Sequence, residues 1–327
     1  MNAARELAER HRFQWWEVLP WVAGIAAFFV FPNYLAFGTQ VLITILFALS
    51  LDLVLGYAGI VTLGHAAFFG AGAYTVGMLA KHGIWNEPIT SVILAALVAA
   101  AVGLGSGLVL LRTRGLTLLM LTLCTMALLE QAANMGAAWT GGFDGMPGLS
   151  FEKILGVFSF DVLYFRSQYL YSMVLLFACF LVVRTLVYSS FGQSLTGIRE
   201  NLLRMHAVGA PVRSRLIVAY TISAALAGVA GALFAQTTGY VNLAVLGLER
   251  AAGVLIVLIL GGYGRLYGAF VGAVAYMVLE HLLAKAYPTA WQLGIGITLM
   301  AVALYARNGI LGLGDALRRY LGAGGRP

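Results

Sequence analysis

Residues 89–111 contain no charged side chain, and each of nine further stretches of the 327-residue chain holds at most one. These runs lie near 19–37, 41–57, 59–80, 116–138, 168–187, 216–237, 251–262, 267–284 and 290–306. A bilayer's hydrocarbon core is about 30 Å thick, so a spanning helix needs about 20 consecutive, mostly apolar residues. A membrane β-barrel would instead show alternating segments of roughly ten residues, and here the apolar runs are continuous. The predicted fold is therefore all-α, a polytopic membrane helical bundle with about 8–10 transmembrane segments. The run 251–262 is too short to span alone and stops at Gly261-Gly262-Tyr263-Gly264, so it reads with the next run as one broken or re-entrant pair.

Composition agrees. The chain is 61% hydrophobic and only 10% charged, with a mean hydropathy of +0.89; a soluble domain carries about 25% charged residues. Cys124 and Cys179 both fall inside apolar runs, which suggests neither a disulfide scaffold nor a metal site. The start, MNAARELAERHRFQWWE, reads as a charged helical preamble rather than a cleavable signal.

The net charge of +7 does not point to nucleic acid, because the basic residues sit at the ends of the apolar runs. With the N-terminus inside and strict alternation, the inside set is Arg5, Arg10, Arg12, Arg112, Arg114, Arg184, Arg199, Arg204, Arg213, Arg215, Arg265, Arg307, Arg318, Arg319 and Arg326. Only Lys81, Lys153, Arg166, Arg250 and Lys285 fall outside. The positive-inside rule then predicts both termini in the cytoplasm. The chain divides into a cytoplasmic segment 1–18, a transmembrane domain 19–306 and a cytoplasmic tail 307–327. The domain carries an outer loop at 140–167 and an inner loop at 188–215. Trp15, Trp16, Trp21, Trp85 and Trp139 fall at proposed boundaries, as interfacial anchors or ordinary packing.

The stretch 50–74, SLDLVLGYAGIVTLGHAAFFGAGAY, is apolar yet carries Asp52, His65 and glycines including Gly56, Gly59 and Gly64. An acid in hydrocarbon is costly unless it faces a cavity or a partner, and glycines let backbones approach closely. The spacing of Asp52, Gly56 and Gly59 predicts one helical face. This is a polar, close-packed seam, either lining a translocation path or holding the hairpin together. His65 reads as a path residue or, more readily, as a neutral interhelical donor. Thr122, Met126, Glu130 and Asn134 recur every four residues, so Glu130 is a further polar candidate. Gly264, Gly268 and Gly272 form GxxxGxxxG, a helix-packing face, and Gly103 with Gly107 a weaker one. LGYAGIVTLGHAAFFGAGAY is echoed by LGGYGRLYGAFVGAVAY, either a duplicated hairpin or the chance likeness of glycine-rich segments.

In the inner loop, Leu195, Ile198, Leu202 and Met205 predict one short amphipathic helix, to dock on a partner or lie on the membrane. Gly192, Arg199, Glu200, Asn201, Gly209 and Arg213 punctuate it. The outer loop contains Thr140, Gly141, Gly142 and Asp144 within TGGFDGMPGL, a turn acid or a contact for something arriving from outside. No lysine follows a glycine, so there is no P-loop. No nucleophile motif or metal-ligand spacing is present, and no cofactor is implied. The chain reads as a transport component rather than an enzyme.

Four of these pieces, in this order, resemble the M-type permease subunit of branched-chain amino acid ABC transporters. LDLVLGYAGIVTLGHAAFFGAGAY is similar to that family's signature, and RTRGLTLLMLTLCTMALLE also fits. TGGFDGMPGL resembles its outer loop, and FGQSLTGIRENLLRMHAVG its ATPase-coupling region, including Arg199-Glu200-Asn201. One departure stands out: where ABC importers commonly carry Glu-Ala-Ala ahead of the loop glycine, here Gly209, this chain has Leu203, Arg204 and Met205. The resemblance implies a multi-pass bacterial inner-membrane protein embedded in lipid. Its partners would be a homologous H-type permease, two cytoplasmic ATPase subunits and a periplasmic substrate-binding protein. It implies import by alternating access of branched-chain amino acids or a related small polar solute, since relatives also carry other amino acids, urea or amides, and aromatic acids. The competing readings are a proton-coupled secondary transporter using Asp52 or Glu130, and a membrane scaffold, which would gain nothing from Asp52.

Overall fold

The computed structural model describes residues 15–151, 165–288, 290–305 and 309–312. The N-terminal preamble up to residue 14, most of the second half of the 140–167 loop and the tail from residue 313 lie outside the described residues.

Every apolar run contains a helix. In chain order these are α1 (Leu19–Val30), α2 (Leu35–Asp52), α3 (Ala66–Lys81), α4 (Pro88–Leu110) and α5 (Leu116–Met135). Then come α6 (Phe165–Tyr188), α7 (Ser190–Glu200), α8 (Leu202–Ala207), α9 (Val212–Thr238), α10 (Leu248–Gly261), α11 (Gly268–Ala286) and α12 (Trp291–Tyr305). Strands among the described residues are confined to β1 (Met146–Pro147) and β2 (Tyr240–Val241), an antiparallel pair. Among the described residues six elements are long and apolar enough to cross a membrane: Pro32–Tyr57, α4, α5, α6, α9 and α11. The protein is a polytopic helical membrane bundle. At about 1.5 Å per residue, the 14 residues of α10 are too short for a hydrocarbon core, whereas its neighbour α11 is long enough.

Three boundaries differ from the sequence reading. The first run does not reach 37, because Pro32 opens a 3-10 turn, Pro32–Tyr34, and α2 starts at Leu35 rather than near 41. The third run does not begin at 59; residues 58–65 are non-helical and α3 starts only at Ala66. The inner loop does not form one helix through Leu195–Met205. Asn201, at φ −152°, ends α7, and its side chain accepts from the Arg204 N–H at 3.0 Å to cap α8.

The core is built on α9, which packs against α3 and α4 and also meets α2; α2 in turn packs on α6 and α11, and α10 on α11. Small residues make this possible. A Cβ on Gly231 would lie 1.8 Å from the Phe69 carbonyl oxygen, and one on Gly72 would lie 2.1 Å from that of Gly228. The Gly103 and Gly107 face meets the same helix, at Ala224 and Tyr220. Without a hydrophobic force between helices in lipid, such backbone approach supplies the packing energy. The outward face of α4 keeps Ile93, Leu97, Leu104 and Leu108 exposed, as a lipid-facing stripe requires.

Helices α4 and α9 run antiparallel, and their paired ends mark two ends of the bundle. At one end Arg213 of α9 donates to the Leu108 carbonyl near the end of α4 (3.2 Å), and Glu17 pairs with Arg184 (2.8 Å). At the other, Gln236 of α9 donates to the Pro88 carbonyl at the start of α4 (2.8 Å), and His82 stacks near Trp139.

Candidate functional site

The most irregular stretch of buried backbone is the one that carries Asp52 and His65. Helix α2 stops at Asp52, widens into a π turn over Leu53–Tyr57, and gives way to non-helical chain up to His65. Non-helical backbone is tolerated at membrane depth only where protein or a water-filled cavity satisfies its polar groups. Here two side-chain-to-backbone bonds join it to distant elements. The Asp52 carboxylate accepts from the backbone N–H of Gly264 (2.6 Å), in the turn between α10 and α11. Arg199, from the last turn of α7, donates to the carbonyl of Gly56.

Glycine is required where these strands of backbone meet. A Cβ on Gly56 would lie 2.1 Å from the Asp52 carboxylate and 2.4 Å from the Gly264 nitrogen. Gly59 sits at φ +73° with the Arg199 side chain 2.7 Å from where its Cβ would be. Gly59 therefore cannot share a helical face with Asp52 and Gly56, as their spacing had predicted: the helix has ended before it. Likewise Gly264, at φ +75°, lies outside α11, so the GxxxGxxxG face reduces to Gly268 and Gly272. Those two pack on α10, within 2.2 Å of the Gly262 carbonyl and 2.1 Å of the Val257 carbonyl for an added Cβ. The two echoing sequences are thus both helix–turn–helix corners, and their turns touch at Gly56 and Gly264.

His65 closes the arm opposite Asp52. Its Nε2 lies 2.9 Å from the Ser50 hydroxyl, which itself donates to the Phe47 carbonyl (2.6 Å), so the histidine is the donor of that pair. The ring stacks on Phe47, and Ser223 of α9 donates to the Ser50 carbonyl. Ser50, His65 and Ser223 thereby tie α2, α3 and α9 together. Gly64 abuts the Thr122 carbonyl of α5. Glu130 is not part of this cluster; it is half-buried further along α5, where it interacts electrostatically with Tyr74.

Of the inner-loop residues, Leu195 and Ile198 bury against the bundle and aim Arg199 at the break, while Glu200 and Asn201 stay exposed. Gly192 is buried at the α6–α7 corner, where a Cβ would meet the Val187 carbonyl at 2.1 Å, beside the Ser189 cap of α7. Gly209 follows α8 in open space, with nothing within 4 Å of its added Cβ. Arg213 is used on the α4 terminus already described.

At the other end, TGGFDGMPGL folds back on itself. Thr140 bonds the carbonyls of Ala133 (2.5 Å) and Gly136 (2.9 Å) and accepts from the Gly142 N–H (3.3 Å), while Gly141 packs on the Gly145 carbonyl. Met146 then pairs with Val241 and is fully buried over Gly77. This leaves Phe143, 85% exposed, and Asp144 at the tip of a clasped loop, beside the Tyr240 hydroxyl.

One site escaped the sequence reading. A cavity of about 300 Å³ opens between α2, α10 and α11, with Gln40, Glu249, Arg250, Tyr276 and Glu280 on its wall. The signal was present: Glu249-Arg250 at the mouth of an apolar helix and Glu280 alone within an apolar span. Arg250 was counted only as a loop charge, and nothing local pairs it with a residue thirty positions away.

Comparison with known proteins follows the same lines. The family described as the permease component of the branched-chain amino acid transport system matches residues 33–304. The high-affinity branched-chain amino acid permease LivM of Salmonella typhimurium is 29% identical over 84% of this chain and 68% of its own length. LivM of Escherichia coli is 28% identical over the same shares. The autoinducer 2 import permease LsrC of an Enterobacter species is 31% identical over 80% of this chain and 76% of its own. No solved structure matches the chain. With most of its length matched, the chain belongs to the permease-component family of branched-chain amino acid transport systems.

Proposed function

We propose that this chain is the M-type subunit of an ATP-driven importer for branched-chain amino acids or a closely related small solute, resident in the bacterial inner membrane. Its partners would be a homologous permease, two ATPase subunits docked on the α7–α8 face, and a receptor delivering solute to the Phe143–Asp144 face. Both termini would then lie in the cytoplasm, in keeping with the distribution of arginine. The observation that carries this reading is the reach of Arg199. It joins a short amphipathic helix, of the kind that docks on partners, to the broken backbone at Gly56. A push on α7 is thereby transmitted to the junction of two helical corners. Rigid-body rocking of those corners against the second permease opens and closes the path, driven by the different affinity of the ATPases for the two states.

Asp52 serves in this scheme as the cap of the α10–α11 turn, sealed from solvent at 1% exposure and held by Gly264. A proton carrier needs access to water from both sides, so the geometry gives no support to a proton-coupled secondary transporter. The two kinds of relative import different molecules, so sequence likeness alone leaves the solute open. The decisive experiment reconstitutes the chain with its second permease, ATPases and receptor in proteoliposomes. ATP-dependent accumulation of L-leucine is the expected result; uptake driven by a proton gradient without ATP would overturn the proposal.

A further inference from the structure

The cavity beside α10 has a wall that membrane packing does not explain. The Arg250 guanidinium lies 4.7 Å from the Phe234 ring and 5.2 Å from that of Phe69. A guanidinium carries five N–H donors, and neither ring offers a carbonyl or carboxylate to take them. Among the described residues no carboxylate lies within 4.0 Å of it and no acceptor takes its N–H groups. Those donors open into the cavity. Across the same space stands Glu280, half-buried on α11, while exposed Glu249 precedes Arg250 on α10; both are near enough to interact electrostatically with Arg250. Ile43, Val254 and Val257 complete an apolar floor. Ionisable groups within a membrane domain are expensive and mark solute or ion pathways. The volume of about 300 Å³ is at the small end of ligand pockets, about 300–1,000 Å³.

We propose that this cavity is a solute-binding station inside the permease, built for a small zwitterion whose carboxylate sits on Arg250, ammonium toward Glu280, and apolar portion on Ile43, Val254 and Val257. The proposal rests on the reading of the chain as a small-solute permease and adds to it a site and a charge requirement. A neutral polyol would bring no charge to either the guanidinium or the carboxylates, whereas an amino acid brings a partner for each. The station also shares the α10–α11 hairpin with the Gly264 turn that Asp52 caps, so occupancy and the state of the Arg199 junction act on one element.

The test uses the complete transporter with its receptor, and L-leucine, L-leucinol and isovalerate as probes; the latter two lack the carboxylate and the ammonium respectively. Gly253→Leu fills the cavity from α10 and leaves the Arg250 charge in place; the nearest atom to its added Cβ is the Tyr276 hydroxyl at 3.7 Å. Arg250→Gln removes the charge, and Arg250→Lys keeps it. In the wild-type membrane complex assembled without the receptor, millimolar L-leucine should raise the melting temperature while leucinol and isovalerate do not; Gly253→Leu and Arg250→Gln should abolish that shift. Both should lower L-leucine uptake by at least about tenfold, the scale of one charged contact. Arg250→Lys should recover part of the uptake. If Arg250→Gln fails to assemble, Gly253→Leu decides alone. Wild-type import of L-leucine with uptake unchanged in Gly253→Leu would overturn the station and leave the permease reading standing. An equal shift with leucinol would overturn the carboxylate assignment. No ATP-coupled import of any solute by the wild-type assembly would instead sink the permease reading itself.

Discussion

Arg199 donates a hydrogen bond to the carbonyl of Gly56, 143 residues earlier in the chain. That carbonyl belongs to the π turn where α2 fails, and the arginine stem simultaneously covers Gly59. A helix on the rim of the bundle is thus fastened to the least regular backbone inside it. The same junction receives the Gly264 turn, whose N–H is held by Asp52. Three elements distant in sequence meet through two side-chain-to-backbone bonds.

If that bond transmits motion, Arg199→Ala should separate the two activities of the assembled transporter. Uptake falls by about tenfold or more, the cost of a charge-assisted hydrogen bond to a backbone group, while basal ATP hydrolysis persists. Arg199→Lys keeps the charge but not the planar donor geometry, and should restore only part of the coupling. The ratio of solute imported to ATP hydrolysed in proteoliposomes reads this directly; an unchanged ratio in Arg199→Ala removes the junction from the coupling route.

Asp52 offers a cleaner separation of path from scaffold. Asp52→Asn retains an oxygen to accept from the Gly264 N–H, so transport and thermal stability should stay near wild type. Asp52→Ala leaves a buried N–H unsatisfied, at a cost of about 1–3 kcal/mol, and should lower the melting temperature along with uptake. A transport defect in Asp52→Asn at normal stability would show that the negative charge itself is used by the solute or a proton.

The α3–α9 contact is governed by backbone approach. Gly231→Ala should prevent a stable complex, because its Cβ would lie 1.8 Å from the Phe69 carbonyl oxygen; overpacking of this kind costs about 1–3 kcal/mol or more. Gly105→Ala, on the open face of α4 with nothing within 4 Å, should be neutral or stabilise by about 1 kcal/mol through helix propensity. Thermal unfolding followed by size-exclusion chromatography compares the two.

Orientation is read by cysteine accessibility. In a background with Cys124 and Cys179 replaced by serine, Phe143→Cys should react in intact spheroplasts with a membrane-impermeant maleimide. Glu200→Cys should react only after permeabilisation. The reverse pattern would invert the proposed topology and exchange the receptor and ATPase faces.

Much of this molecule was legible because membrane spans obey a one-dimensional rule. A stretch such as 89–111 must become a helix, since its backbone has no other way to satisfy its hydrogen bonds in lipid. The glycine seam around Asp52, the short α10 and the helix ahead of Arg199 were legible for the same local reasons. Periodicity misled where polar groups override it. Asp52, Gly56 and Gly59 look like one face only if the helix continues, and Asn201 prefers to cap α8 rather than extend α7.

The sequence by itself determined most of the helical segments and marked glycine-rich faces for close packing, because burial and backbone satisfaction act on neighbouring residues. It could not determine that Asp52 reaches Gly264, that Arg199 reaches Gly56, or that Arg250 faces Glu280 across a cavity. Those pairings depend on which helices become neighbours. Only the packing of α9 between α3 and α4, and of the α10–α11 hairpin against α2, decides where each isolated charge finds its counterpart.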